Sequence, residues 1–359
     1  MKITIGIVAR NEEQYLPRLL EDIKSQDYPH EKIEILLIDG LSDDATFRIM
    51  RTFVDETEDF FDIRIYTNDQ MLQSYGWNIA IKNFTTDALV RVDAHARINS
   101  DFISACVSAL GDIDSTDEKY PPEFVVGGAR PTVADADDNL TKTLHMAEES
   151  LFGSSLLSSR RESGESSDEI TTEPVEKRNY VSTLFHACYR RQVFDEVGGF
   201  REDLKRTEDN EFHYRIRKAG FKIYMSPFIH SVQYIRPTFG RMIKQKAGNG
   251  FWIGRTVFSC PGCLSLYHFV PFAFVMAILI STGLAIGVST WCLSVLGALY
   301  FSVAILMSLA SAFSIQKKGG HTPPQMILLP FIFFVLHTAY GLGTLAGLIS
   351  SPFRRTNGH

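Results

Sequence analysis

Three long stretches in the second half of this chain carry no charged residue: Leu264–Val288, Thr290–Ser314 and Thr322–Pro352. About 20 consecutive helical residues cross the hydrocarbon core of a bilayer, and each stretch exceeds that. One such run can be a buried core helix. Three in succession, with aromatic residues near their ends, predict a membrane domain over 264–352, with helices at 264–288, 290–313 and 325–349. The charge distribution agrees. Glu211 is the last acidic residue, so all 42 Asp and Glu lie at or before it. With them stand 23 of the 36 Lys and Arg, a formal −19, while the other 13 are unopposed in the remainder. An acidic part joined to a basic, apolar part points to two different environments.

Nine Lys and Arg fall between Arg215 and Arg255. Phe239, Met242, Ile243, Phe251 and Trp252 are interleaved with Arg241, Lys244 and Lys246. This pattern, over residues 236–263, predicts an amphipathic segment at an anionic membrane surface. A basic, aromatic stretch also suits nucleic acid, but its place directly before the apolar runs favours the lipid bilayer, and no nucleic-acid partner is expected. Met1–Ala9 reads as a strand, not as a secretory signal. Cys260-Pro-Gly-Cys263 has no second pair to complete a zinc site and reads as a turn before the first span. Sparse cysteine use fits a reducing face. The expected location is the cell (inner) membrane, multi-pass, with the domain 1–235 cytoplasmic. Three spans then leave Lys317-Lys318 inside and Arg354-Arg355 outside, against the positive-inside rule. Pro323, Pro324 and Pro330 leave room for a last segment that does not fully cross.

The first part alternates strand and helix. Lys2–Ala9, Glu34–Ile38, Ile63–Tyr66 and Ala88–Val92 are Ile- and Val-rich strands, separated by helical periodicity at Tyr15–Ile23, after Ser42 and at Met71–Phe84. Ser42 reads as the N-cap of its helix, with Asp43 and Asp44 favourable near its N-terminus. Four alternations over the first 95 or so residues predict an α/β, doubly wound parallel sheet. Val125–Arg130 reads as a further strand into a glycine turn, and Arg190–Gly199 as a helix closed by a Gly pair. Thr207–Glu211 opens another helix, with Phe212, Ile216 and Ala219 on its inner face. Ser150–Lys177 has no periodicity and reads as a surface loop, with a lid over the site as the alternative.

Strand ends carry the chemistry. The first is followed by Arg10-Asn11-Glu12, the second ends at Asp39, and the fourth runs into Asp93-Ala94-His95. Side chains at i and i+2 of an extended chain share a side, so Asp93 and His95 can converge on one cation. Ligands of open α/β sheets bind at this carboxyl edge. No Gly-x-Gly-x-x-Gly follows the first strand and no P-loop is present, which excludes the usual dinucleotide and P-loop readings.

Ala9-Arg10-Asn11-Glu12-Glu13, Asp39-Gly40 with Ser42-Asp43-Asp44-x-Thr46, Asp93-Ala94-His95 and Glu208-Asp209-Asn210-Glu211 resemble, in order and spacing, the motifs of family 2 glycosyltransferases of the GT-A fold. The resemblance covers about Met1 to Trp252. Val197-Gly-Gly-Phe200, Glu208-Asp209, Tyr214-Arg215 and Ala219-Gly220 are similar to the membrane-anchored subgroup that makes succinoglycan-type exopolysaccharide. It implies transfer of one sugar, glucose or another hexose, from a nucleotide diphosphate sugar, with UDP-sugars favoured, to a polyprenyl-diphosphate-linked glycan. It implies Ala9, Asn11, Glu12, Asp39, Asn78 and Asp93 at the donor nucleotide, and Mn²⁺ or Mg²⁺ on Asp93 and His95. Asp209 is implied as the base that makes the reaction inverting, and Glu208, Arg236, Gln245 and Trp252 are expected to bind the acceptor or its diphosphate. The usual Asp-x-Asp is here Asp93-x-His95, a pair better matched to Mn²⁺. The Gln-x-x-Arg-Trp of processive synthases is absent, since Gln245 and Trp252 are too far apart to match it. A polyprenyl-phosphate sugar synthase and a non-catalytic membrane scaffold are the alternatives.

Overall fold

A computed structural model describes residues 1–135, 138–153, 173–235, 238–317 and 319–350. In chain order the elements are β1 (Ile3–Ala9), α1 (Leu16–Lys24), β2 (Ile33–Asp39), α2 (Thr46–Glu56), β3 (Asp62–Thr67), α3 (Gln73–Asn83), β4 (Ala88–Asp93), β5 (Ala96–Ile98) and α4 (Phe102–Leu110). Then come β6 (Val125–Gly127), β7 (Thr132–Ala134), α5 (Asn139–Glu149), β8 (Asn179–Tyr180), β9 (Ala187–Arg190), α6 (Arg191–Val197), α7 (Glu208–Lys218), β10 (Ile223–Met225) and β11 (Ser231–Ile235). Four helices close the chain: α8 (Phe239–Thr256), α9 (Val270–Gly287), α10 (Trp291–Lys317) and α11 (Leu329–Ser350). One compact unit takes the described residues of Met1–Val133 and Ser159–Tyr234, and the other takes those of Ala134–Ser158 and Ile235–His359.

The first unit is an α/β domain. Its main sheet has the order β3-β2-β1-β4-β9-β6-β10-β8. The first four strands are parallel, as the alternation predicts, and β9 is antiparallel to both β4 and β6. Strand periodicity sorts the two faces. Ile3, Ile5, Ile7, Val90 and Val92 pack with Leu16, Leu19, Met50, Phe53 and Phe102 of α1, α2 and α4. Leu36, Ile38 and Leu89 pack on the other side with Trp77, Phe194, Phe212 and Ile216 of α3, α6 and α7. Helix α3 comes close to β1 because Gly76 has no side chain; a Cβ there would stand 2.5 Å from Val8 Cγ1. A second, three-stranded sheet has the order β5-β11-β7.

Local corrections follow from where polar groups find partners. Ser42 does not cap α2, whose N-cap residue is Ala45. The Ser42 hydroxyl instead donates to Asp39 Oδ1 at 2.6 Å and accepts the Asn11 N–H at 3.1 Å. Asp43 N donates to Asn11 Oδ1, Ala45 N to Glu13 Oε2, and Glu12 N to Thr46 Oγ1. These residues knit the loops after β1 and β2 together. Arg190 ends β9 and does not begin α6. On α7, Phe212 and Ile216 are buried but Ala219 is exposed; His213 takes the remaining inner position.

The second unit holds three helical segments long and apolar enough to cross a membrane: Leu266–Gly287, Trp291–Lys317 and Pro324–Ser350. Lys318, residues 351–359 with Arg354-Arg355, Arg236, and most of the Ser150–Lys177 loop lie outside the described residues. Helix α8 packs along α11 through glycine. A Cβ at Gly250 would lie 2.0 Å from Tyr340 O, and one at Gly254 2.3 Å from Thr344 O; Gly343 and Gly347 answer from α11. Small residues four apart let two helix backbones approach this closely. Helix α5, capped by Asp138, contributes Leu144, Met146 and Ala147 to a core with Met242, Leu329, Phe333 and Leu336.

Candidate active site

At the carboxyl edge of β1–β4 lies a cleft of about 190 Å³, lined by Val8, Ala9, Arg10, Glu12, Gly40, Asn68, Met71, Leu72, Gln73, Asp93, Ala94 and His95. Three non-glycine residues beside it have left-handed backbones: Asn11 (φ 56°), Leu41 (φ 53°) and Met71 (φ 54°), one after each of β1, β2 and β3. Such conformations cost free energy for branched or bulky residues and cluster at functional sites.

Asp93 ends β4. Its Oδ2 faces Arg130 Nη1 at 3.2 Å, Gln233 Nε2 at 3.2 Å and His186 Nε2 at 3.5 Å. Its Oδ1 has a long contact, 3.4 Å, to Gln73 Nε2. Burial alone would raise the Asp93 carboxyl, but His186, Arg130 and His95 together hold it well below the usual carboxylate range. Gln233 Nε2 also donates to His95 Nε2 at 2.5 Å, so Asp93 and His95 converge on one point, held by an amide N–H. With Nε2 accepting, the His95 proton is on Nδ1, 3.3 Å from Glu12 Oε1. Burial would lower His95; the Glu12 and Asp93 carboxylates outweigh it and raise its pKa. His186, fully buried with Nδ1 on Ser231 Oγ, is pushed down by burial.

Asp209 stands in the first turn of α7. Its Oδ1 accepts a 2.5 Å hydrogen bond from Arg91 Nη1, and its side chain keeps 22% of its surface exposed. Neighbouring Glu208 is buried, and its Oε2 has no hydrogen-bond partner among the described residues. Burial pushes the Glu208 carboxyl up to about 7, reinforced by the Asp209 charge.

The remaining expected residues are distributed as follows. Ala9 and Glu12 line the cleft; Asn11 and Asp39 hold the adjoining loops through Asp43 and Ser42. Asn78 does not line it: its amide donates to Phe200 O at 2.8 Å and accepts from Phe200 N at 2.7 Å, bracing the Gly199–Phe200 turn against α3. Gln245, exposed, and Trp252, half-buried, are on α8 of the second unit. Arg91, Arg130, His186 and Gln233 are site residues that the motifs do not name. A lone Arg inside the apolar run of β4 was the one local signal among them.

Residues 4–155 match the glycosyl transferase family 2 profile. The chain is 28% identical over 350 residues, 97% of both proteins, to a dolichyl N-acetyl-α-D-glucosaminyl phosphate 3-β-D-2,3-diacetamido-2,3-dideoxy-β-D-glucuronosyltransferase of Methanococcus voltae. It is 22% identical to the succinoglycan biosynthesis protein ExoA of Rhizobium meliloti, over 98% of this chain and 96% of that one. Among solved structures, the mannosyltransferase PcManGT from Pyrobaculum calidifontis, in complex with GDP-Man and Mn²⁺, aligns with a TM-score of 0.53 at 16% identity. That alignment covers 99% of this chain and 88% of that one, and it is a likeness of fold.

Proposed function

The chain carries a glycosyltransferase family 2 domain and is a transferase; from that premise we propose that it moves one hexose, with inversion, from a nucleotide diphosphate sugar to a polyprenol-linked glycan. The observation that supports this best is the pairing of two carboxylates of different environment. Asp93 lines the cleft with His95, and Asp209, partly exposed on α7, is ion-paired to Arg91 of the strand that ends in Asp93. Displacing a nucleoside diphosphate needs the leaving charge neutralised on one side of the anomeric carbon and a proton acceptor on the other. Asp209 is that acceptor, taking the proton of the incoming hydroxyl.

The cleft suits a divalent cation. Asp93 Oδ1 has one long contact, and Asp93 with His95 already converges on a donor N–H. Among the described residues no group of three or more His, Cys, Asp or Glu is placed to hold a metal. Two protein ligands with phosphate oxygens and water completing the shell is the usual arrangement at such sites. Carboxylate with imidazole fits Mn²⁺ better than Mg²⁺. When bound, the ion neutralises the departing diphosphate. Glu12 orients His95 through Nδ1, and Arg130 and His186 keep Asp93 ionised.

The polyprenol-linked acceptor rests on what the Methanococcus voltae relative is named for. That name specifies a phosphate linkage, while the resemblance of the motifs implies a diphosphate. Absence of the processive motif supports addition of a single sugar. The test is transfer from a panel of nucleotide sugars to polyprenyl-phosphate- and polyprenyl-diphosphate-linked saccharides, with and without Mn²⁺. The wild type should transfer one residue with inverted configuration, and Asp209→Asn should lose 10²–10⁴-fold, the usual contribution of a general base. Retention of stereochemistry, or an Asp209→Asn variant within about tenfold of wild type, rejects the reading.

A further inference from the structure

We propose that Arg91 is a positioning residue that aims the Asp209 carboxylate and fixes its distance from the donor site. The inference rests on Asp209 as the base. Arg91 lies inside β4, and its side chain is 3% exposed. The guanidinium is clamped between two rings, 4.5 Å from the centroid of Trp77 and 4.8 Å from that of Phe200. Held this way it has little freedom, and Nη1 meets Asp209 Oδ1 at 2.5 Å.

Three observations set this apart from a mere buried counter-ion. First, the position does not need a charge: a guanidinium in a sheet is costly to bury, and apolar residues of similar volume replace such ion pairs without loss of stability. Second, the guanidinium selects between adjacent carboxylates. Glu208 is more deeply buried and leaves Oε2 without a partner among the described residues, yet Arg91 binds Asp209. Third, one oxygen of Asp209 is engaged, and among the described residues no further side chain binds the other. An aspartate at a helix terminus has two free side-chain torsions; one short, charge-assisted bond removes most of that freedom and leaves the second oxygen for the acceptor hydroxyl. Leu89, Arg91 and Asp93 alternate onto one face of β4, so the strand that presents Asp93 to the donor also anchors the base. A misplacement of about 1 Å at such a site costs on the order of 10²-fold in rate.

The test is a double-mutant cycle on the full-length protein, with nucleoside diphosphate binding measured beside transfer. Arg91→Met should lower kcat for transfer about 10²-fold, leave nucleoside diphosphate affinity within about threefold, and be partly rescued by Arg91→Lys, which restores a single donor. In the Asp209→Asn background, Arg91→Met should cost almost nothing more, because residues acting as a unit are non-additive. Losses that multiply, or an Arg91→Met enzyme at wild-type kcat while Asp209→Asn is inactive, overturn the proposal. So does loss of nucleotide binding in both Arg91→Met and Arg91→Lys, which marks a structural role. An active Asp209→Asn enzyme would instead remove the premise.

Discussion

Glu208 offers a stability measurement with a defined sign. Its carboxyl is buried at the first turn of α7, beside Asp209, and is pushed up to about 7 from a usual value of 4.5. Burial comes first among the causes, then the Asp209 charge, while Arg91 and Arg206 act the other way. Below pH 4.5 the group is protonated whether the chain is folded or not, and it contributes nothing. Between 4.5 and about 7 the unfolded chain releases the proton and the folded chain keeps it, so stability falls as pH rises. Above 7 the folded state carries the buried charge in full. The rise from 4.5 to about 7, at 1.36 kcal/mol per pH unit, is about 3 kcal/mol at most. Glu208→Gln cannot ionise. The difference in unfolding free energy, variant minus wild type, should therefore grow by up to about 3 kcal/mol between pH 4.5 and 8. Denaturant unfolding in detergent at pH 4.5, 6, 7 and 8, followed through the Trp77 environment, reads that difference. A difference that stays flat across this range would show that Glu208 ionises as freely in the fold as outside it.

Two other substitutions probe separate parts of the molecule. His95→Asp supplies the harder carboxylate, and the variant should stay active with the Mg²⁺-to-Mn²⁺ activity ratio raised; an unchanged ratio means that His95 does not touch the ion. Gly254→Ala gains about 1 kcal/mol of helix propensity, yet its Cβ would meet Thr344 O at 2.3 Å and Leu348 N at 2.8 Å, both backbone atoms of α11. Overpacking of this kind costs typically about 1–3 kcal/mol, so the apparent Tm in detergent should fall, and a rise would show that α8 and α11 separate without penalty.

The parallel half of the sheet was legible because β1, β2 and β4 are continuous Ile- and Val-rich runs ending in polar clusters, a local pattern. Strand β9 was not: Ala187–Arg190 is four residues long, and its antiparallel place between β4 and β6 is set by contacts distant in sequence. The same holds for the site. Asp93, His95 and Asp209 sit in motifs readable one at a time. Gln233, 140 positions from Asp93 and 138 from His95, becomes a site residue only when β11 comes back beside β5. Asn78, which the resemblance placed at the donor nucleotide, has its amide taken by a turn 122 residues away. The α8–α11 contact was written in the chain as Gly250-x-x-x-Gly254 and Gly343-x-x-x-Gly347, and was obscured by the basic and aromatic residues around the first pair. Glycine, not Phe251 or Trp252, is what the two backbones meet through.

Strand geometry bears on the proposed displacement as well. In an in-line transfer the attacking oxygen approaches from about 3–3.5 Å on one side of the anomeric carbon, while the departing oxygen, still bonded at the start, leaves on the other. The groups serving them must therefore stand on opposite sides of that carbon, at a separation that does not drift. Two residues along a strand rise about 6.6 Å, which is the step from Arg91 to Asp93. A strand end offers this spacing as a fixed length, while a base carried by α7 alone would depend on how that helix settles against the sheet. Phe212 and Ile216 fix the body of α7 in the core, while its first turn, where Asp209 stands, takes no side-chain cap from Thr207. An ionic bond from the strand to that turn fixes the Asp209 carboxylate, which is partly exposed, relative to β4. The buried arginine then has a role that a leucine at position 91 could not take, even if the sheet packed equally well around it.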